Sequence, residues 1–228
     1  MNDLRLLHLC DSLFPLGGFA YSDGLETATS DATIPDGPAL GGWIDVCLDE
    51  TIGRCEGPGL WQAWPLFRDG EWEPLAALDE ELTALRPSAS ARRSTRAMGI
   101  RLLTTWHALH PDARLDQAIA RARAGLFGPV LGVAFAGACA CGGIEQRRAV
   151  EAFAYVRLAS TISAAMRLMP IGQADAHALL ARAADRVPAV VDGIIARDRE
   201  GARPESCAPA MDLAAMSQRY LHSRLFRS

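Results

Sequence analysis

Lysine is absent from this chain of 228 residues: all 23 basic residues are arginine. That excludes a P-loop, whose lysine cradles nucleotide phosphates. It also excludes a pyridoxal Schiff base and the strand lysine of protein kinases. Positive charge is not in excess, because 27 acidic residues leave a formal net charge of −4. A nucleic-acid-binding role therefore has no electrostatic footprint. Cysteine is sparse and unpatterned. Cys10, Cys47, Cys55, Cys139, Cys141 and Cys207 show no disulfide-framework spacing, and a cytoplasmic protein with reduced thiols is expected. The first ten residues carry Asp3, Arg5 and His8 within the apolar run and do not read as a secretory signal. Strand signals are nearly missing, since no segment alternates apolar and polar residues with β-branched enrichment.

One uncharged stretch, 126–144, approaches the length needed to cross a membrane. It is mostly alanine and glycine, which gain little from transfer to lipid. It reads instead as a buried helix over about 129–141, whose Gly132, Ala136 and Ala140 permit close backbone approach. No membrane association is expected.

What is present is helix. Alanine, leucine and arginine dominate, and proline and glycine punctuate. Asp36-Gly37-Pro38 opens a helix to about Ile52, Gly57-Pro58 opens another to about Phe67, and Pro74 opens a third that ends before Pro87. Ser88 or Ser90 caps a long helix that stops at Pro111. A weakly apolar helix over 112–124 follows. The helix 145–169 carries two apolar stripes and is expected to be the most buried, at the centre of a bundle. The helix after Pro170 meets Pro188, where a kink or restart is expected. A loop over 199–209 precedes a last helix. The expectation is one all-α domain over 1–228, a single-domain bundle of roughly ten helices with a C-terminal tail, 223–228.

Few constellations suggest chemistry. Cys139 and Cys141 point to different helix faces and read as small buried hydrophobes. His107 and His110 share a face at a helix end, where histidine suits the helix dipole without any metal. Asp45 and Asp49 lie one turn apart, and carboxylate pairs of this kind hold Mg²⁺ in all-α enzymes. The second cluster such an enzyme needs, Asp79-Glu80-Glu81, reads as a solvated face. Arg92, Arg93, Arg96 and Arg101 read as a basic face or as a surface for an acidic partner. No catalytic residue, metal ligand or cofactor is assigned.

Three segments are unusual. Residues 14–26 gather Gly17, Gly18 and Gly24 with Phe14, Phe19 and Tyr21, a tight turn or a contact loop. Arg167-Leu168-Met169-Pro170-Ile171-Gly172-Gln173 breaks an apolar hairpin and puts Arg167 and Gln173 at a corner expected to be buried and hydrogen-bonded. The tail holds Leu225 and Phe226 between Arg224 and Arg227, an apolar pair framed by the residue types that anchor interfaces. Folding back onto its own domain is the alternative.

Together these segments resemble the urease accessory protein F family. The resemblance lies in 8–26 (His8-Leu9-Cys10-Asp11-Ser12-Leu13-Phe14-Pro15-Leu16-Gly17-Gly18-Phe19-Ala20-Tyr21-Ser22, then Gly24-Leu25-Glu26), in the 167–173 corner, and in the ending Tyr220-Leu221-His222-Ser223-Arg224-Leu225-Phe226-Arg227-Ser228. The small-residue helix from Gly128-Pro129-Val130 and the weaker Ser94-Thr95-Arg96-Ala97-Met98-Gly99 agree in order and spacing. The resemblance implies an all-α, non-enzymatic assembly factor that forms homodimers and bridges a D/H-type accessory protein and a G-type GTPase. That complex would deliver Ni²⁺ to the bis-nickel site of apo-urease, whose lysine is carbamylated, and the bridging protein would modulate the GTPase. It makes contact surfaces of Gly17, Gly18, Phe19, Tyr21, Ser22, Glu26, Arg167, Gln173, Tyr220, Arg224, Leu225, Phe226 and Arg227. The competing reading is an all-α Mg²⁺-dependent enzyme built on Asp45 and Asp49.

Overall fold

Every element in the computed structural model, which describes residues 2–227, is helical. Met1 and Ser228, at the ends of the expected domain and tail, lie outside the described residues. In chain order the helices are α1 (Asn2–Cys10), α2 (Leu25–Ser30), α3 (Gly37–Val46), α4 (Gly57–Asp69), α5 (Trp72–Ala84), α6 (Ala89–Leu109), α7 (Ala113–Arg123), α8 (Leu131–Cys141), α9 (Gln146–Leu168), α10 (Gln173–Arg199) and α11 (Pro209–Ser217). Short 3₁₀ turns cover Gly18–Ala20 and Gln218–Tyr220. One cluster of buried apolar residues runs from Leu9 to Phe226. The all-α architecture expected from the sequence is the one observed.

Local chemistry explains most boundaries. The Asp36 carboxylate accepts the Ala39 N–H at 2.9 Å and caps α3, and the Ser88 hydroxyl accepts the Ala91 N–H and caps α6. The expected break between about Ile52 and Gly57 is absent. Residues 47–56 are π-helical and join α3 to α4 in one rod, with the Gly57 N–H bonded to the Ile52 carbonyl five residues back. Pro58 has no N–H to give the Arg54 carbonyl, and the Glu205 N–H donates to it instead at 2.9 Å. Pro65 likewise frees the Trp61 carbonyl, which accepts the Gln146 amide at 2.8 Å. Prolines whose orphaned carbonyls find donors elsewhere do not end a helix. Pro188 also lies inside a continuous α10.

The centre of the bundle is α8, not α9. Every residue from Val133 to Ala140 is buried, whereas α9 exposes Tyr155. The small side chains of α8 let α4 and α6 approach its backbone closely, which two stripes of larger residues on α9 cannot match. At Gly99 of α6 a Cβ would lie 1.9 Å from the Pro129 carbonyl oxygen, so only glycine fits where α6 crosses the start of α8. The first amides of α8 are satisfied from neighbouring helices. The Asp79 carboxylate accepts the Val130 N–H at 2.7 Å and the Thr95 hydroxyl accepts the Leu131 N–H at 2.9 Å. Asp79 is therefore 1% exposed and not part of a solvated face. Burial pushes its carboxyl up to about 7, against the pull of the Val130 and Gly128 N–H groups and of Arg96. Among the described residues no helix is long and apolar enough to cross a membrane.

Candidate functional site

The two ends of the chain and the α9–α10 corner meet at one place, and Glu26 is its hub. Glu26 sits in α2, buried, with the hydroxyl of Ser22, in the loop before the helix, accepting its N–H. The Glu26 carboxylate accepts the Gln218 side-chain amide at 2.8 Å and the Phe226 N–H at 3.2 Å, and also the Leu225 N–H. Ionised carboxylates receiving several N–H donors make the stronger class of hydrogen bond. The Arg227 N–H donates to the Ala20 carbonyl at 2.8 Å and closes the tail onto the N-terminal loop.

Arg167, in the last turn of α9, completes the corner. Its guanidinium lies 3.6 Å from the ring centroid of Phe19 and 4.2 Å from that of Phe226, and it donates to the Phe19 carbonyl at 3.0 Å. Desolvation between the rings lowers its pKa from the ordinary arginine value. The arginine thus ties the loop to the tail through cation–π contacts and one hydrogen bond.

The tail folds back onto its own domain. Phe226 is 3% exposed and Leu225 63%. The apolar pair read as one anchor is therefore divided, with one residue locked inside and the other presented. Phe19 and Tyr220 are exposed as well, with Arg219 donating to the Tyr220 hydroxyl and stacking on its ring. Arg224 and Arg227 are exposed, Tyr21 is half-buried, and Ser22 and Glu26 lie in the interior. Gln173, expected at a buried corner, is exposed at the start of α10 and is not drawn into the cluster.

The glycines of the loop divide in the same way. Gly17 has φ +77° and Gly24 φ +89°, left-handed values that favour glycine. At Gly24 a Cβ would also sit 2.7 Å from the Ala215 backbone nitrogen. Gly18 has no positive φ, and a Cβ there would meet only the Met98 sulfur at 3.7 Å.

The remaining candidates have structural partners. The Arg186 guanidinium reaches the Asp45 carboxylate at 2.7 Å and the Asp49 carboxylate at 2.7 Å, so a cation already occupies the space where Mg²⁺ would be held. His107 pairs with Asp116 at 2.9 Å, and the His110 ring lies 4.3 Å from that of Trp106. Cys139 is buried and Cys141 half-buried. On the expected basic face, Arg101 donates to the Leu16 carbonyl and Arg92 to the Arg86 and Pro87 carbonyls.

Sequence reasoning passed over a buried ion network beside the hub. Arg157 of α9 pairs with Glu56 at 2.9 Å and with Asp23 at 2.6 Å, and Arg86 pairs with Glu56 from the other side. Arg157 and Glu56 are 12% and 5% exposed at their side chains. A lone arginine amid α9's apolar stripes was the available signal, since an arginine there needs a buried partner.

The fold and this corner define an all-helical scaffold that holds both chain ends together beside an exposed aromatic and aliphatic patch. The sequence model of the family described as UreF matches residues 34–184. Full-length relatives extend the match to both ends and so to the corner itself. A urease accessory protein UreF from Bradyrhizobium diazoefficiens is 31% identical, with 98% of this chain and 90% of the relative aligned. Those from Polaromonas sp. and Granulibacter bethesdensis are 28% and 31% identical, with 94% and 93% of the relatives aligned to 99% and 98% of this chain. The chain belongs to the UreF family.

Proposed function

We propose that this urease accessory protein works as a non-enzymatic adaptor in the cytoplasm. It holds a D/H-type accessory protein and a G-type GTPase together while Ni²⁺ is delivered to apo-urease, acts as a homodimer, and modulates the GTPase. The nickel ion is cargo of the assembly, and no site on this chain is assigned to it. The observation that carries the reading is the corner itself. A buried carboxylate spends its hydrogen bonds on fixing the tail, so that Leu225, Tyr220 and Phe19 are presented as ordered apolar side chains beside Arg224 and Arg227. Ordered aromatic, aliphatic and arginine groups bind with little further loss of conformational freedom. The competing enzyme reading loses its support because Arg186 neutralises Asp45 and Asp49.

The test is co-purification of the full-length chain with the D/H-type and G-type proteins, separately and together. The expected result is capture of both partners. Leu225→Ala should weaken capture of the D/H-type protein at least tenfold, with the unfolding midpoint of the isolated chain unchanged. Phe226→Ala should lower that midpoint, because filling a core site with a smaller side chain costs about 3 kcal/mol. Failure of the wild-type chain to capture either partner overturns the adaptor reading.

A further inference from the structure

We propose that Arg157 is a positioning residue for the docking corner, acting through Asp23 to hold α2 and its Glu26 in the orientation that receives the tail. The proposal deepens the adaptor reading and rests on it only for the step from ordered tail to bound partner.

Asp23 is one of two non-glycine residues among those described with positive φ, at +49°. The next residue, Gly24, is also left-handed, and the two together turn the chain from the N-terminal loop into α2. A non-glycine residue in that region is strained and persists only where its surroundings over-determine it. The surroundings here are the ion network. The Asp23 carboxylate receives the Arg157 guanidinium at 2.6 Å, and Arg157 is itself oriented by Glu56 at 2.9 Å. Glu56 is the last residue of the π-helical segment and is fixed in turn by Arg86, from the junction between α5 and α6. Three separately anchored elements thus converge on one strained residue, and Glu26 begins its work three positions later. Burial disfavours the charged carboxyl of Asp23, but Arg157 and Arg86 outweigh burial and hold its pKa below the usual value.

Buried ion pairs contribute little net stability compared with apolar packing, and their best attested use is to specify one arrangement. At this place the arrangement is the angle of α2. The Gly24 backbone packs directly on α11, with Ala215 and Met211 beside it. A turn that relaxed at Asp23 would tilt α2 against α11. Glu26 would then no longer face the Gln218 amide and the Leu225 and Phe226 N–H groups.

The test is site-resolved amide hydrogen exchange on the full-length chain. Asp23→Ala removes the carboxylate and leaves Glu56 shared between Arg157 and Arg86, so it is read beside a variant that removes one charge of each sign. Exchange at Leu225, Phe226 and Arg227 should accelerate at least tenfold, while the amides of α8 keep wild-type protection. Arg157→Met combined with Glu56→Gln severs the same link from the other side, with the glutamine still accepting from Arg86, and should give the same local pattern. Unchanged tail exchange in a folded Asp23→Ala chain overturns the proposal. So does a uniform loss of protection throughout the molecule, which marks the network as general reinforcement. Partner capture in the same variants separates the two readings. Released tail amides with capture intact leave the positioning role standing and overturn docking through the tail. Protected tail amides with capture lost overturn the positioning role.

Discussion

The side chains of Glu26 and Gln218 meet at 2.8 Å although 192 residues separate them in the chain, and both are buried. A carboxylate so placed must be fully paired, because an unsatisfied buried charge is far more costly than any single hydrogen bond is favourable. Glu26 achieves this only with donors from the last ten residues of the described chain. The N-terminal motif and the C-terminal ending are therefore two parts of one hydrogen-bonded unit, with Arg167 as its third.

Glu26→Gln tests that unit directly. Glutamine offers one carbonyl oxygen where the carboxylate offered two, and its amide group would face the N–H donors of the tail. At least one of three donors loses its acceptor, at a cost of about 1–3 kcal/mol. The expected outcome in urea denaturation is a lower midpoint with an unchanged m-value, together with faster exchange at the Leu225 and Phe226 amides.

The loop glycines should respond differently to side chains. Gly24→Ala combines a positive φ with contact against the α11 backbone and should cost about 2–4 kcal/mol. Gly18→Ala adds a methyl group at an ordinary distance from Met98 and should change stability by less than about 0.5 kcal/mol. Thermal unfolding of the two variants checks the contrast. Equal effects would mean that the left-handed turn before α2 is not what the loop requires.

Asp79 supplies a pH dependence of unusual sign for a carboxylate. Its folded pKa of about 7 lies above the ordinary value near 3.9, so the native state holds the proton more tightly than the unfolded chain. The stabilising contribution is fully present below about pH 4 and is lost as the pH rises through 7. Between pH 7.5 and pH 5 the wild-type chain should gain about 2.5 kcal/mol relative to Asp79→Asn, which keeps an acceptor for the Val130 N–H but does not titrate. Denaturant titrations of both proteins at the two pH values measure the difference.

What was legible in the sequence follows from which forces are local. Ser88, one of the two serines read as the cap of α6, and Asp36, at the expected opening of α3, cap their helices, since a cap needs only the next three residues. Pro58 misled as the start of a new helix, because whether a proline ends a helix depends on who satisfies the carbonyl four residues back; at Pro188, where a kink or restart was expected, the helix does not restart. For Pro58 that donor is Glu205, from the other end of the chain. Asp79 looked solvated among Glu80 and Glu81 because its partner amides belong to α8. The helix α9 looked central because its stripes are large, whereas α8 is central because its residues are small. At the corner, Phe19, Arg167 and Phe226 come together from three segments that the sequence presented separately, and the division between a locked Phe226 and a presented Leu225 depends on backbone direction that sequence does not carry. Of the three loop glycines named together, Gly17 and Gly24 carry the left-handed turns and Gly18 does not. Arg157, Glu56 and Asp23 come from three distant segments and form no motif.

The closure of the corner by the chain's own ending also dictates when it can exist. Ribosomes add about 5–20 residues per second, so roughly 10–40 s pass between the synthesis of Glu26 and that of its Gln218 partner. Late in that interval the helices around α8 are already made and can assemble, while the donors that Gln218, Leu225 and Phe226 supply to Glu26 are still missing. A nascent or truncated chain therefore carries the scaffold without its finished surface. Synthesis of residues 218–227 acts as a built-in check, because only chains that contain them present Leu225 and Tyr220 in register.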